Sequence, residues 1–507
     1  MKKNILSFVL IFCGIAIANA QTTEFDAIKM AQTDISGTAR YMGMAGAFGA
    51  LGGDVSAIKD NPAGLGVYRS WEVSSTFNLL TQKSNSAWEG RNAHDDMFKF
   101  GFNNIALVMS LPAWNSSKGL LNSNWGFSYN RLKNFNRNAV VKGNPVETSI
   151  THYYADFTKG FADSDFGFED DYDYFPWMSK LAYETCLINS NNDVDNTWSS
   201  MLNAGETVSP SYYLQESGYI DGYSISWGGN FSNIFNLGAA INFQSVKYDM
   251  RSNYIENFGA NEYLDLINTL STRGVGTSFD IGFIYRPADF IRLGFSYKTP
   301  MKYTLKDVSQ GDMVSELVIN NSLTKYGELT EQADYDYEVR IPGKLQASAA
   351  YIIGKKAIIS TDFVYTDYRN IKLYDLYNGV RYYEEDNEAI KNTFNGGITV
   401  KVGAEYRVTN QLSLRAGFAA ETASMGSNAI KQPHLNTTRT DTEYFRHKGT
   451  NYFTAGVGYR GNSWYFDAAF VNKNLEEEFM PYNTKDFKPA KVTTRNYDVV
   501  ATIGLKF

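Results

Sequence analysis

Apolar and polar side chains alternate along most of this chain with a period of two. At the C-terminus Tyr497, Val499, Ala501, Ile503, Leu505 and Phe507 fall on one face, with Asn496, Asp498, Thr502, Gly504 and Lys506 on the other. Upstream, Leu412, Leu414, Ala416 and Phe418 oppose Ser413, Arg415 and Gly417, and Ile291, Leu293, Phe295 and Tyr297 oppose Arg292, Gly294, Ser296 and Lys298. Such alternation marks strands with two different faces. It predicts fourteen of them, near 71–82, 98–112, 124–141, 219–231, 237–256, 274–286, 290–307, 333–353, 356–374, 393–407, 411–422, 447–460, 463–474 and 491–507. Short connections near 113–123, 232–236, 286–289, 354–355, 408–410 and 461–462 alternate with long polar ones. An even number of antiparallel strands, with short turns and both termini on one side, is the layout of an outer-membrane barrel. Several strands exceed the roughly 9 to 11 residues that cross a membrane, so the wall should project above the outer surface.

Composition agrees. The chain carries 35 Tyr, 33 Phe and 8 Trp, yet its mean hydropathy is −0.33, and nothing after residue 20 approaches the roughly 18 uninterrupted apolar residues of a membrane helix. A barrel reconciles the two, because lipid-facing and lumen-facing residues alternate and aromatic girdles mark its rims. Arg415, Lys401, Glu405 and other charges on the second face are costly against lipid and belong toward a polar lumen. The final strand ending on Phe507 resembles the signal read by the outer-membrane barrel assembly machinery. The expected fold class is all-β, a 14-stranded antiparallel transmembrane barrel.

The first twenty residues read as a secretory leader: Lys2 and Lys3, an apolar run from Ile5 to Ala18, then Ala18-Asn19-Ala20, a small-x-small cleavage pattern. The mature chain is expected to start at Gln21. With Lys2 and Lys3 removed from the 47 basic residues, 45 face 54 acidic ones, a net charge of −9 that argues against nucleic acid as a partner. Cys13 lies mid-run, without the small residues that precede a lipidated cysteine, and Cys186 is the one cysteine left. No internal disulfide can form.

Residues 21–70 do not read as barrel. Gly37, Gly43, Gly46, Gly49, Gly52, Gly53, Gly64 and Gly66 stand among alanines, followed by Asp60-Asn61-Pro62-Ala63-Gly64. A glycine-rich linker and a compact plug, whose small residues let backbone approach the wall, are both open readings. A phosphate-binding loop fails, since the glycines lack G-x-G-x-x-G or GK[ST] spacing and no strand precedes them.

Ser36-Gly37-Thr38-Ala39-Arg40, Gly53-Asp54 and Asn61-Pro62-Ala63 shortly before the first strand resemble the N-terminal plug of the long-chain fatty acid transporter family (FadL/TodX). Arg292 to Lys302 and Leu414 to Phe418 also look like strands of that family. The resemblance implies a monomer with three parts: leader 1–20, plug 21–70 and fourteen-stranded barrel 71–507. It implies passive, plug-gated uptake of long-chain fatty acids or aromatic hydrocarbons past lipopolysaccharide, with sideways release at a kinked strand into the outer-membrane lipids. On this resemblance Asn61, Pro62 and Ala63 belong to the gating element.

The longest insertion, 142–218, holds Trp177, Met178, Leu181 and Ala182 at helical spacing after Pro176, and Trp198, Met201 and Leu202 after Asp195, an expected helix N-cap. Apolar side chains on an outer loop suggest a capture groove; two short helices packing on each other is the equally open alternative. His94, His152, His434 and His447 are scattered, and no G-x-S-x-G motif supports catalysis. Glu169, Asp170, Asp171 and Asp173 read as a solvated loop, and Asp193-x-Asp195 lacks the glycine and distal glutamate of a calcium loop. No cofactor or metal is called for. An energised siderophore receptor needs about 22 strands, more than this chain supplies. Two functions therefore stand: a passive channel for hydrophobic molecules, or a surface-binding barrel acting as adhesin or ligand receptor.

Overall fold

The computed structural model describes residues 22–113, 118–162, 176–191, 196–259, 261–354, 356–376, 379, 383–435 and 437–507. The leader, the 169–173 acidic cluster and the Asp193-x-Asp195 segment lie outside them.

Fourteen strands form the barrel wall. They are β1 (Glu72–Trp88), β2 (Arg91–Pro112), β3 (Leu120–Asn134, continuing as Arg137–Lys142), β4 (Ser209–Phe231), β5 (Phe235–Gly259), β6 (Glu262–Ala288) and β7 (Ile291–Lys298 and Met301–Ile319). They continue as β8 (Ser322–Leu329, Ala333–Ile341 and Lys344–Ile353), β9 (Ala357–Asp367 and Lys372–Asp375), β10 (Gly396–Arg407), β11 (Leu412–Thr422), β12 (Tyr444–Arg460), β13 (Trp464–Met480) and β14 (Ala490–Lys506). Each pairs antiparallel with its neighbours in sequence, and β1 closes the sheet on β14 from Glu72↔Lys506 to Ala87↔Lys491. The two ends are clasped by Trp71 N–H to Phe507 C=O at 2.9 Å and Phe507 N–H to Trp71 C=O at 3.2 Å.

The faces are those the alternation assigns. Leu293, Phe295, Leu414, Phe418, Phe466, Val499 and Ile503 are exposed on the outer wall, while Ser296, Arg415, Asp467 and Thr502 are buried inward. The short connections expected from the sequence, such as 232–234, 289–290, 408–411 and 461–463, lie at the end that carries both termini.

At the other end the wall rises higher than expected. The segments 83–97 and 257–273 read as long loops, but they are upper strand halves joined by tight turns at Glu89-Gly90 and around Asn261. β7 and β8 likewise meet at Asn320-Asn321, both with positive φ (53° and 62°), as a two-residue hairpin between twisted strands requires.

Above the rim, α3 (Ile150–Thr158) and α4 (Trp177–Glu184) pack into a cap. Ser149 caps α3, and the buried Glu256 of β5 accepts from Ile150 N–H at 2.9 Å. α4 begins after Pro176 as predicted. The helix expected at Trp198 is instead a three-residue strand, Trp198–Ser200, paired with Ile188–Ser190. Three apolar residues in five set no helical face strongly enough to outweigh that pairing and the edge contact of Trp198 with Tyr183 at 5.6 Å. A further helix, α5 (Glu384–Thr393), lies in the β9–β10 connection.

Candidate functional site

The N-terminal segment fills the barrel. It runs through α1 (Glu24–Ala31) and α2 (Ala39–Gly43), then two 3-10 turns, Val55–Lys59 and Pro62–Val67, before entering β1. Asn61 sets the second turn. Its Oδ1 accepts from Ala63 N–H at 3.1 Å, and its Nδ2 donates to the carbonyls of Gly49 at 2.6 Å and Phe283, on β6, at 3.3 Å. Proline at the first position of the turn needs no donor there. Asn61, Pro62 and Ala63 thus form one buried unit at the base of the lumen.

The wall receives this segment with inward glycines. A Cβ on Gly238 would lie 2.3 Å from Pro62 C and Ala63 N, and on Gly282 1.9 Å from Asn61 Oδ1. On Gly294 it would meet Gly49 O at 2.4 Å, and on Gly403 Met44 O at 2.5 Å. Backbone lies on backbone at Gly238, Gly294 and Gly403, and the Asn61 amide lies on Gly282, an approach that only a residue without a side chain permits.

Charge completes the seating. Arg40 of α2 pairs with Glu405 of β10 at 2.9 Å, Arg415 of β11 pairs with the same carboxylate at 2.7 Å, and Asp467 of β13 takes Arg415 at 2.6 Å. Asp60 accepts from Tyr41 OH at 2.6 Å and Lys401 at 3.3 Å. Burial alone would raise the Asp60 carboxyl, but Lys401 and Lys59 hold it below the usual carboxylate range. Burial pushes the Lys59 ammonium down to about 8. Replacing Glu405 with Gln removes the charge paired with Arg40, which keeps the Gly53 carbonyl at 3.0 Å; breaking a buried pair from one side costs about 3–5 kcal/mol. In Glu405→Gln, protease added from the periplasmic side should cut the plug at Arg40 or Lys59 while the barrel still runs as a folded band. Cleavage no faster than in the parent would refute the anchoring role.

Three cavities, about 150, 130 and 50 Å³, meet at Asp34 between α1 and α2. The largest lies beneath α1 and is walled by Phe25, Ile28, Phe135, Met250 and Phe445 together with many charged groups. Asp34 is held by Lys473 at 2.5 Å. Lys133 and Lys344 line these cavities donating only to the Lys29 carbonyl (2.7 Å) and Thr33 Oγ1 (3.1 Å), and Lys59 donates to the Ser36 carbonyl. These three lysines have no ion pair among the described residues. The route thus sets apolar side chains beside charges of both signs, among which these lysines lack a paired carboxylate.

The smallest cavity ends at Gly101, Phe102, Asn103 and Arg131, where the wall is unzipped. β2 and β3 pair only from Asn104↔Asn130 to Pro112↔Asn122. Above that, Arg91 to Phe102 pair with β1 alone, while the 137–142 half of β3 pairs with β4. Two irregularities cause the divergence: an extra residue at Asn103 in β2, and one at Leu132 in β3. The upper half of β3 turns inward over β1, where Gln82 donates to Asn136 O at 3.2 Å and Ser86 to Val140 O at 2.7 Å. Phe98 and Phe100 stand at the open edge, 65% and 67% exposed, so the seam abuts the lipid-facing belt.

Of the residues expected to form a capture groove, Trp177, Met178, Leu181, Trp198 and Leu202 are buried in the cap and Met201 is partly buried. None of the six lines the three cavities. They pack within the cap, though not as two helices, since Trp198–Ser200 is a strand. The histidines stand apart: His94 on the exposed edge of β2, His152 in the first turn of α3, His434 against Asp386, and His447 between Ser424 and Thr450.

The profile of the outer membrane protein transport family (OMPP1/FadL/TodX) matches residues 16–435. This chain belongs to that family. Among solved structures it is similar to a Pseudomonas aeruginosa FadL homologue, at 13% identity and TM-score 0.55, over 94% of this chain and 99% of that one. It is also similar to the Pseudomonas putida toluene transporter TodX (11% identity, TM-score 0.48, 94% and 99% covered) and the Ralstonia pickettii toluene transporter TbuX (12%, 0.47, 93% and 99%). Searches of curated protein sequences find no match. The chain is therefore a FadL/TodX-type outer-membrane transport barrel. The wall glycines and the unzipped seam were missed by sequence reasoning, although the outward side of β2 shifts from even positions (Phe98, Phe100, Phe102) to odd ones (Ile105, Leu111) across Asn103.

Proposed function

We propose that this barrel admits hydrophobic small molecules, long-chain fatty acids or aromatic hydrocarbons, by diffusion, and releases them sideways through the seam between β2 and β3. The observation that carries the reading is the row of cavities that meet at Asp34 and end at that unpaired edge. Unpaired strand edges are costly in hydrocarbon, and lateral release gives this one a use. The plug, seated on wall glycines, blocks the straight path to the periplasm, with Asn61, Pro62 and Ala63 as its base. Lys59, Lys133 and Lys344 favour, within this class, molecules with an acidic head, since each would gain an ion pair inside a low-dielectric lumen. Substrate enters past the cap, whose buried Trp177, Met178, Leu181, Trp198, Met201 and Leu202 would meet it only if the cap loosens. The protein acts as a monomer among outer-membrane lipids and lipopolysaccharide, exported on a leader cut after Ala20.

Uptake of a labelled fatty acid and a labelled aromatic hydrocarbon, in cells with and without the protein, tests the reading. Normal uptake without it, together with a purified barrel holding no hydrophobic molecule, would sink transport and leave a surface receptor. Asn61→Ala removes three hydrogen bonds, each worth about 1 kcal/mol net. It should reduce uptake with barrel assembly intact; unchanged flux would remove Asn61 from the gating element.

A further inference from the structure

Away from the lumen cavities, α5 and the 428–435 segment between β11 and β12 enclose an open cavity of about 550 Å³ on the extracellular face. Glu24, Glu385, Asp386 and His434 line it, and Ile430 and Leu435 stand exposed at its rim. Glu24 and Asp386 are each only 4% exposed. Asp386 Oδ1 meets His434 Nε2 at 2.9 Å, whereas Asp386 Oδ2 is buried with no hydrogen-bond partner among the described residues. A buried carboxylate oxygen without a donor bears its full desolvation cost. The neighbouring carboxylate compounds it: burial, and then the Asp386 charge, push the Glu24 carboxyl up to about 8 against the opposing charges of Lys431 and His434. A cation bearing N–H donors relieves both. Among the described residues no three acidic, histidine or cysteine side chains converge closely enough to hold a metal ion, and the volume exceeds what a bare ion fills.

We propose that this cavity binds an organic ammonium ion with an apolar body, its N–H groups on Asp386 and Glu24 and its carbon skeleton against Ile430 and Leu435. Ion pairing fixes the head, and apolar burial at the rim selects the body. Glu24 is also the first residue of α1, whose Phe25 and Ile28 wall the largest lumen cavity. An occupant therefore touches the plug directly.

Calorimetric titration of the purified full barrel with phenethylammonium chloride tests this, with phenethyl alcohol and 3-phenylpropionate as neutral and anionic probes of similar shape. The ammonium should bind roughly tenfold or more tighter than either, and Asp386→Asn and Glu24→Gln should each weaken it by about that factor, as loss of a charge-assisted hydrogen bond predicts. Leu435→Arg changes an exposed rim residue without touching the buried carboxylates, and should abolish binding by placing a cation in the mouth. Equal binding of ammonium and alcohol, or ammonium binding that Leu435→Arg leaves intact, overturns the proposal. So does displacement of the probe by an equal concentration of calcium. The readout is binding at the mouth, so its outcome is independent of whether the lumen transports anything.

Discussion

With Lys99→Cys and Asn136→Cys joined by a cleavable bifunctional maleimide, in a Cys186→Ser background, uptake should fall to the level of cells lacking the protein and return when the spacer is cut. Lys99 Nζ donates to Asn136 Oδ1 at 2.7 Å, a direct bond across the opening between β2 and the inturned half of β3. Noncovalent, exposed and water-screened, it opens at little cost. A covalent bridge at the same place cannot open. Neither residue lies in the β2–β3 ladder, which runs only from Asn104↔Asn130 downward, and Lys99 pairs with Leu80 of β1 through its backbone, so closure and assembly are untouched. Each single-cysteine variant should transport normally. Full uptake with the bridge quantitatively formed, as shown by mass, excludes the seam as the outlet and moves release to the periplasmic end.

The same stretch shows why some of the fold was legible and some was not. Leu414 against Arg415, or Phe466 against Asp467, announces a strand without reference to any partner, because lipid and lumen impose opposite chemistry on adjacent residues. That contrast ends where the lipid ends. Above Phe98 the outward residues of β2 are Asp96 and His94, facing Lys83 and Asn85 of β1 across the hairpin. With water outside and polar Gln82, Ser84 and Ser86 buried inside, both faces are polar, the apolar–polar period of two disappears, and upper strand halves read as loops. The Trp198–Ser200 ribbon is too short to carry any period, and α5 combines three acidic residues in its first turn with a single buried apolar side chain, Ile390. Contacts distant in sequence were hidden for a different reason. Gly294 and Gly403 are plainly inward by alternation, yet nothing local says that the backbone of Gly49 or Met44 rests there. The glycines of the plug and those of the wall are two halves of one feature, and only packing joins them.

Gly238→Val should unseat the plug. The barrel wall at this point is fixed by ladders on both sides, Gly238 opposing Gly228 of β4 and Gly282 of β6, so the added atoms cannot be relieved by moving β5. The first of them already sits 2.3 Å from the Pro62 carbonyl carbon and the Ala63 nitrogen, and those belong to a turn whose hydrogen bonds to Gly49 and Phe283 hold it in place. Overpacking of this kind costs about 1–3 kcal/mol, enough to shift a seated-to-displaced equilibrium by roughly 5- to 150-fold. Gly238→Ala should give a smaller effect of the same sign. The measurement is permeation of a charged β-lactam in cells, and conductance of the purified barrel in a planar bilayer; both should rise as the lumen opens to the periplasm. Gly327→Ala is the control, because a Cβ there meets Val314 at an ordinary 3.6 Å on the extracellular hairpin, far from the plug. If Gly238→Val assembles, excludes the β-lactam as the parent does and still takes up fatty acid, then the Asn61-Pro62-Ala63 turn is not the seal, and the barrier lies elsewhere in the plug, at the ion pairs that bind Arg40 to Glu405.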